Sequence, residues 1–151
     1  RLIALLIIFL CILYIWNKRL KANVSFEEKQ KFKDKPNIVA LAKLEKLNEL
    51  SLSNKDNIKE LYVELSHILR EYIENSLFIR TLEMTTEEIK FSNNNFPYND
   101  IEFMSLLEIL SNSDMAKYAR YNASDNELSS DLKKTIDLVN DTTHYWNLEF
   151  S

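Results

Sequence analysis

The chain has 151 residues, a formal net charge of −4 and no glycine. The lack of glycine excludes Walker-type and dinucleotide-binding loops, because these need glycine where the backbone approaches phosphate. A single cysteine, Cys11, excludes an internal disulfide and a cysteine-based zinc site, and no basic stripe with interleaved aromatic residues points to nucleic-acid binding. We therefore expect no cofactor, no nucleic-acid or small-molecule ligand and no enzymatic activity.

Residues 1–22 are predicted to form a transmembrane helix with a basic flank. The apolar run over residues 2–16 would be about 22 Å long as a helix, which is short of a bilayer core of about 30 Å. Three interpretations account for this short length. The first turn of a spanning helix lies upstream of residue 1, or the flanking basic residues of a short spanning helix snorkel to the membrane surfaces, or the run is the core of a signal peptide. Polar and basic residues at 17–21 stand where signal cleavage would need small residues, which favours the spanning helix.

The charges around this segment predict its orientation. Basic residues are concentrated on its C-terminal side, against Arg1 on the other, so the positive-inside tendency predicts a single-pass protein whose remaining chain is cytoplasmic. Because the sequence opens on Arg1 rather than on methionine, we also expect it to be part of a longer protein.

A charged linker over residues 23–36 leads to a domain over residues 37–143, which is predicted to be an all-α bundle of about five or six short helices. The helices are predicted from the 3.6-residue spacing of apolar residues and from the polar breaks between these stretches. The predicted elements are helices over 37–51, 55–76, 99–112 and 125–143, a short helix between Thr85 and the asparagines at 93–95, and a separate helical turn starting at Ser113 or Asp114.

Two of these helices open on the pattern of a capping box. Thr85 is followed three residues later by Glu88, and Ser124 by Glu127, so that each hydroxyl and each carboxylate is expected to bind a free amide at the helix start. The expected core residues lie at helical spacing. They are Ile38, Leu41, Ala42, Leu44 and Leu47; Ile58, Leu61, Tyr62, Leu65, Ile68, Leu69, Tyr72 and Ile73; Ile101, Met104, Leu107, Ile109 and Leu110; and Leu128, Leu132, Ile136 and Val139.

His67 is the residue that most invites a catalytic interpretation. The stretch over residues 66–70 is similar to the phospho-acceptor box of sensor histidine kinases, but the acidic residue and the proline of that box are missing. Glu64, His67 and Glu71 share a helix face and suggest a metal site, although one helix supplies poor metal geometry. We interpret them as a charge cluster on a solvated helix face.

Three stretches, residues 62–74, 82–89 and 113–121, resemble the cytoplasmic helical region of membrane proteins encoded in bacterial Bat (aerotolerance) clusters, including the C-terminal part of BatD-like proteins. The resemblance implies an inner-membrane protein whose partners are a MoxR-type AAA+ ATPase and membrane proteins with von Willebrand A domains. Where that family often has Phe-Gly-Ile-Pro, this sequence has Leu-Phe-Ile-Arg at 77–80, so the turn is expected to be built differently.

The motif residues are expected to have structural roles. Arg70 is predicted to pair with an acidic residue near Glu83 or Glu87, and Thr85 and Glu88 to cap a helix. The resemblance is most specific over residues 82–88, Leu-Glu-Met-Thr-Thr-Glu-Glu.

Five residues are predicted to bind partners. Lys117, Arg120 and Tyr121 form a basic-aromatic patch, which is either a solvated helix face or a docking surface for an acidic partner. Tyr145 and Trp146 belong to an apolar tail, residues 144–151, that either packs on the domain or contacts a partner. The sequence thus predicts a membrane-anchored scaffold or adaptor; a structural subunit of another inner-membrane complex and a signalling domain are the alternatives.

Overall fold

The structure, a computed structural model, describes residues 35–53, 57–118, 121 and 123–147. Every regular element in these residues is helical, which confirms the all-α prediction. The α-helices are α1 (Pro36–Ser53), α2 (Ile58–Leu77), α3 (Thr86–Phe91), α4 (Asp100–Tyr118), α5 (Asp125–Asp141) and α6 (Thr143–Asn147), and short 3-10 turns lie at Thr81–Glu83 and Asn93–Asn95.

The predicted membrane segment, residues 1–22, and the linker up to residue 34 lie outside the described residues. Among the helices that are described, none has the length and apolar character needed to cross a bilayer.

Helix α2 is the centre of the domain and packs against α1, α4 and α5. Seven of its eight predicted core residues are buried, and Ile58 packs against them at the edge. The regular 3.6-residue spacing explains this success, because one continuous apolar face suits burial against several neighbours. Each large apolar side chain that is fully buried contributes about 1.5–3 kcal/mol to folding.

The predicted apolar face of α4 is partly wrong. Phe103 and Leu106 point into the core instead, and the Phe103 ring lies 5.2 Å from that of Phe96. Apolar residues occur all around this helix, so their spacing did not define which face packs inward. Four residues predicted in the core are exposed: Ile38, Ala42, Ile101 (83%) and Met104 (65%).

The break predicted at residues 113–114 is also wrong, since α4 continues to Tyr118. Ser113 is buried, and its hydroxyl donates to the carbonyl oxygen of Ile109 at 2.8 Å. A serine that binds back in this way can remain inside a helix instead of ending it. The last predicted helix ends at Asp141, and α6 follows it.

Side chains cap three helices. In both predicted capping boxes the backbone amide of the cap residue donates to the glutamate at 2.7 Å, Thr85 to Glu88 and Ser124 to Glu127. The backbone amide and the hydroxyl of Thr85 lower the pKa of Glu88. Asn99 caps α4, which the sequence analysis missed: its Oδ1 accepts from the amides of residues 101 and 102 at 2.9 Å.

Phe78 ends α2 in the left-handed conformation, with φ 57° and ψ 24°. Its amide donates to the carbonyl oxygen of Glu74 at 3.0 Å, which closes the helix. This is the position at which the Phe-Gly-Ile-Pro pattern carries glycine, the residue that adopts positive φ without steric cost. The turn therefore forms without glycine, with a bulky residue in the left-handed conformation.

Candidate docking groove

The three stretches that carry the resemblance meet along one groove on the domain. Its walls come from α2, from the segment between Thr81 and Thr86, and from the last two turns of α4, and it encloses about 360 Å³. We call it the docking groove and define it by Val63, His67, Arg70, Leu82, Thr86, Asp114, Lys117 and Tyr118.

Arg70 holds the groove together. Its Nη1 donates to the carbonyl oxygens of Thr81, at 3.0 Å, and of Met84, while its Nη2 donates to the Thr86 hydroxyl at 3.0 Å. In return the Thr81 hydroxyl donates to the Arg70 carbonyl oxygen at 2.7 Å. A planar guanidinium with several donors can bind three acceptors at once, so this residue joins α2 to the turn and to α3.

The ion pair predicted between Arg70 and an acidic residue near Glu83 or Glu87 is wrong, since Arg70 binds two carbonyl oxygens and a hydroxyl instead. Glu83 pairs with Arg80 at 2.7 Å on the exposed surface. The carboxylate closest to Arg70 in this network belongs to Asp114, which accepts a hydrogen bond from the hydroxyl bound to Arg70. The partners of Arg70 are backbone carbonyls because the turn directs the carbonyl oxygens of Thr81 and Met84 toward α2.

The floor of the groove is positively charged. Lys117 Nζ lies 4.0 Å from Asp114 Oδ1, and 15% of its side chain is exposed. Burial lowers the pKa of Lys117, with Asp114 opposing and Arg70 reinforcing the shift. Burial also lowers the pKa of Arg70, and Asp114 opposes it. Two cations face one carboxylate, so the floor carries a net positive charge.

Exposed apolar side chains surround this floor. Tyr118 is 85% exposed at the end of α4, and Val63 and Leu82 are also exposed on the other two walls. An apolar rim around partly desolvated cations suits a protein segment that carries both acidic and apolar side chains. Spacing along the sequence gives no signal for this rim, because the three residues meet only after the turn has folded back.

The predicted basic-aromatic patch is not a single surface in the structure. Lys117 lies in the docking groove, whereas Tyr121 lines a separate cavity with Tyr62 and Asp131, and its hydroxyl donates to Glu127. Arg120, the third predicted member, lies outside the described residues.

Tyr145, near the start of the predicted tail, packs on the domain, which is one of the two predicted arrangements. The Tyr145 hydroxyl donates to Glu102 Oε2 at 2.7 Å, and its ring lies 5.5 Å from that of Tyr98. The Trp146 side chain and residues 148–151 lie outside the described part of the chain. Tyr145 thus contributes a partly buried contact between α6 and α4.

Glu64, His67 and Glu71, the residues considered as a metal site on α2, do not form a cluster. Glu71 pairs with Lys43 of α1 instead of completing a cluster around His67. Within the described ranges, no three histidine, cysteine, aspartate or glutamate side chains come together as a metal site.

The function of the docking groove is inferred from its own side chains. No protein-family model, no curated protein and no solved structure matches the chain. The side chains offer hydrogen-bond donors, positive charge and apolar surface, which are the means of recognising another protein.

Proposed function

We propose that the chain is a membrane-anchored scaffold or adaptor, not an enzyme, and that it binds protein partners through the docking groove. One observation carries the proposal: the three stretches that carry the resemblance line the same groove. The positive floor and the apolar rim support a partner segment that is acidic and partly apolar.

The proposed setting is the bacterial inner membrane. In this proposal residues 1–22 span the bilayer once, and the helical domain lies in the cytoplasm. The partners are a MoxR-type AAA+ ATPase and membrane proteins with von Willebrand A domains, as the resemblance suggests. Holding such partners at the membrane requires binding surface rather than catalytic groups.

Affinity purification tests this proposal. The full chain, tagged and extracted in mild detergent, is compared with a Val63→Ser/Tyr118→Ser variant and with an Ile101→Ser/Met104→Ser control, whose residues are exposed elsewhere on α4. We expect mass spectrometry to find the ATPase or the von Willebrand A-domain proteins with the wild type and the control, and to lose them with the groove variant. Recovery of neither partner class with the wild type would contradict the assignment.

A structural subunit of another inner-membrane complex is the second candidate. Phe91, at the end of α3, and Ile101, at the start of α4, are both more than four-fifths exposed although apolar, and neither lines the docking groove. Coverage of more than one flank by neighbours would explain these side chains. In that case the Ile101→Ser/Met104→Ser control would itself lose bound proteins.

A further inference from the structure

A second groove lies between α1 and α2, on the side of the helical hairpin. It encloses about 500 Å³, and its floor is formed by Leu47, Leu50 and Leu61. Leu47 and Leu61 are buried, but Leu50 is 48% exposed. The half-exposed Leu50 side chain provides apolar surface that a partner can bury. We call it the hairpin groove.

The two walls of the hairpin groove carry opposite charges. Lys43 and Lys46 line it from α1, and Glu60 and Glu64 line it from α2. Lys43 is engaged with Glu71 inside the chain. Lys46 and Glu64 are exposed, and neither makes an ion pair with any residue that the structure describes.

Lys46 and Glu64 also lie at about the same level along the groove. Lys46 is seven residues before the last residue of α1 (53 − 46), and Glu64 is six residues after the first residue of α2 (64 − 58). Two packed helices joined by a short connection run antiparallel, so these two positions stand opposite each other.

We propose that the hairpin groove binds a second copy of this chain in a two-fold symmetric dimer. Rotation about an axis that runs along the groove places the lysine wall of each copy over the glutamate wall of the other. Each Lys46 then faces Glu64 of the other copy, and the leucine floors meet at the axis. The result is a four-helix arrangement with an apolar centre and charged flanks.

The charges on the two walls disfavour the alternative two-fold arrangement. Rotation about an axis that crosses the groove places lysine over lysine and glutamate over glutamate, which is repulsive. A surface whose opposite walls are complementary to each other matches its own copy, and this self-complementarity favours a second copy over an unrelated helix. The hairpin groove and the docking groove share no lining residue, so both surfaces can be used at the same time.

Charge reversal tests the dimer. The full chain in mild detergent is compared with Lys46→Glu, Glu64→Lys and the double variant by sedimentation velocity over a range of concentrations. We expect the wild type to associate, each single reversal to weaken association by about tenfold or more, and the double reversal to restore it. Both positions are exposed, so circular dichroism should show unchanged folding in all three variants.

Three outcomes would overturn the proposal: a wild type that stays monomeric, association that no variant changes, and single losses that the double reversal does not restore. The Val63→Ser/Tyr118→Ser variant separates this proposal from the proposed function. It should lose partner proteins but dimerise like the wild type, because its residues lie in the docking groove.

Discussion

The phenol of Tyr62 on α2 donates a hydrogen bond to Asp131 Oδ2 on α5, across 2.9 Å, and both side chains are buried. Asn112 on α4 donates to the same carboxylate oxygen at 3.1 Å. Three helices therefore meet at one buried carboxylate, which needs these donors because an unpaired buried charge is costly.

Removal of this carboxylate should destabilise the domain more than removal of one donor. Asp131→Ala leaves the Tyr62 hydroxyl and the Asn112 amide without their acceptor, and we expect it to lower the free energy of unfolding by about 2–4 kcal/mol. Tyr62→Phe should cost about 1–2 kcal/mol, because Asn112 still binds the carboxylate. Asp137→Ala, exposed on the same helix, is the control for urea unfolding of the full chain. Equal losses in Asp131→Ala and Asp137→Ala would contradict the role of the buried bond.

The stability of the fold should decrease at high pH because of two buried tyrosine hydroxyls. Burial and, for Tyr62, the bond to Asp131 raise the pKa of Tyr62 and Tyr98 well above the ordinary tyrosine value. Since the folded state favours the protonated phenol, its stabilising contribution is complete below about pH 10 and is lost as the pH rises beyond it. Phenolate absorbance should show these two groups titrating at higher pH in the folded chain than in the urea-unfolded chain, in difference titrations against their Phe variants. Titration of the two phenols at the same pH in the folded and the unfolded chain would contradict this prediction.

Glycine at position 78 should give a more stable domain than alanine at the same position. The left-handed conformation there costs a residue with a Cβ about 1–2 kcal/mol, part of which glycine loses again through its freer unfolded state. We expect Phe78→Gly to exceed Phe78→Ala in unfolding free energy by about 1 kcal/mol, as measured by chemical denaturation. The alanine variant controls for the loss of the half-exposed ring. A glycine variant no more stable than the alanine variant would exclude the left-handed conformation at this position.

Arg70 should not tolerate lysine. An ammonium group on a flexible chain cannot reach the carbonyls of Thr81 and Met84 and the Thr86 hydroxyl together, so Arg70→Lys is expected to cost about 2 kcal/mol or more in the free energy of unfolding. Arg80→Lys is the matched control: Arg80 makes only an exposed ion pair with Glu83, and its loss should be near zero. Equal losses of stability for the two variants in thermal unfolding would contradict the role of the three Arg70 hydrogen bonds.

The sequence predicted elements whose signals are local. The stripe of α2 and both capping boxes depend on spacings within one helix, and the structure has them at the predicted residues. The failures depend on distant contacts. Nothing in the spacing of Ile101 and Met104 shows that Phe103 packs against Phe96. The buried hydroxyl of Ser113 ends no helix, because it donates a hydrogen bond to the carbonyl oxygen of Ile109.

The docking groove was predictable only in part. Lys117 was identified from its neighbourhood in the sequence, and Arg70 from the motif that contains it. Their proximity, and that of Val63 and Tyr118, follows from the packing of α4 on α2. Leu82 joins the same rim through the fold-back of residues 78–85 onto α2. That fold-back depends on the bonds from Arg70 to backbone carbonyls, which have no side-chain signature in the sequence.

Photo-crosslinking from position 118 tests the role of the docking groove most directly. A photoreactive phenylalanine replaces Tyr118 in the full chain, which is irradiated in the expressing bacterial cells. The same residue replaces Ile101 as a control, since the two side chains are 85% and 83% exposed on the same helix. We predict adducts with a MoxR-type ATPase or a von Willebrand A-domain protein from position 118 and not from position 101. Adducts of these partners from position 101 alone, or equally from both positions, would contradict binding through the docking groove.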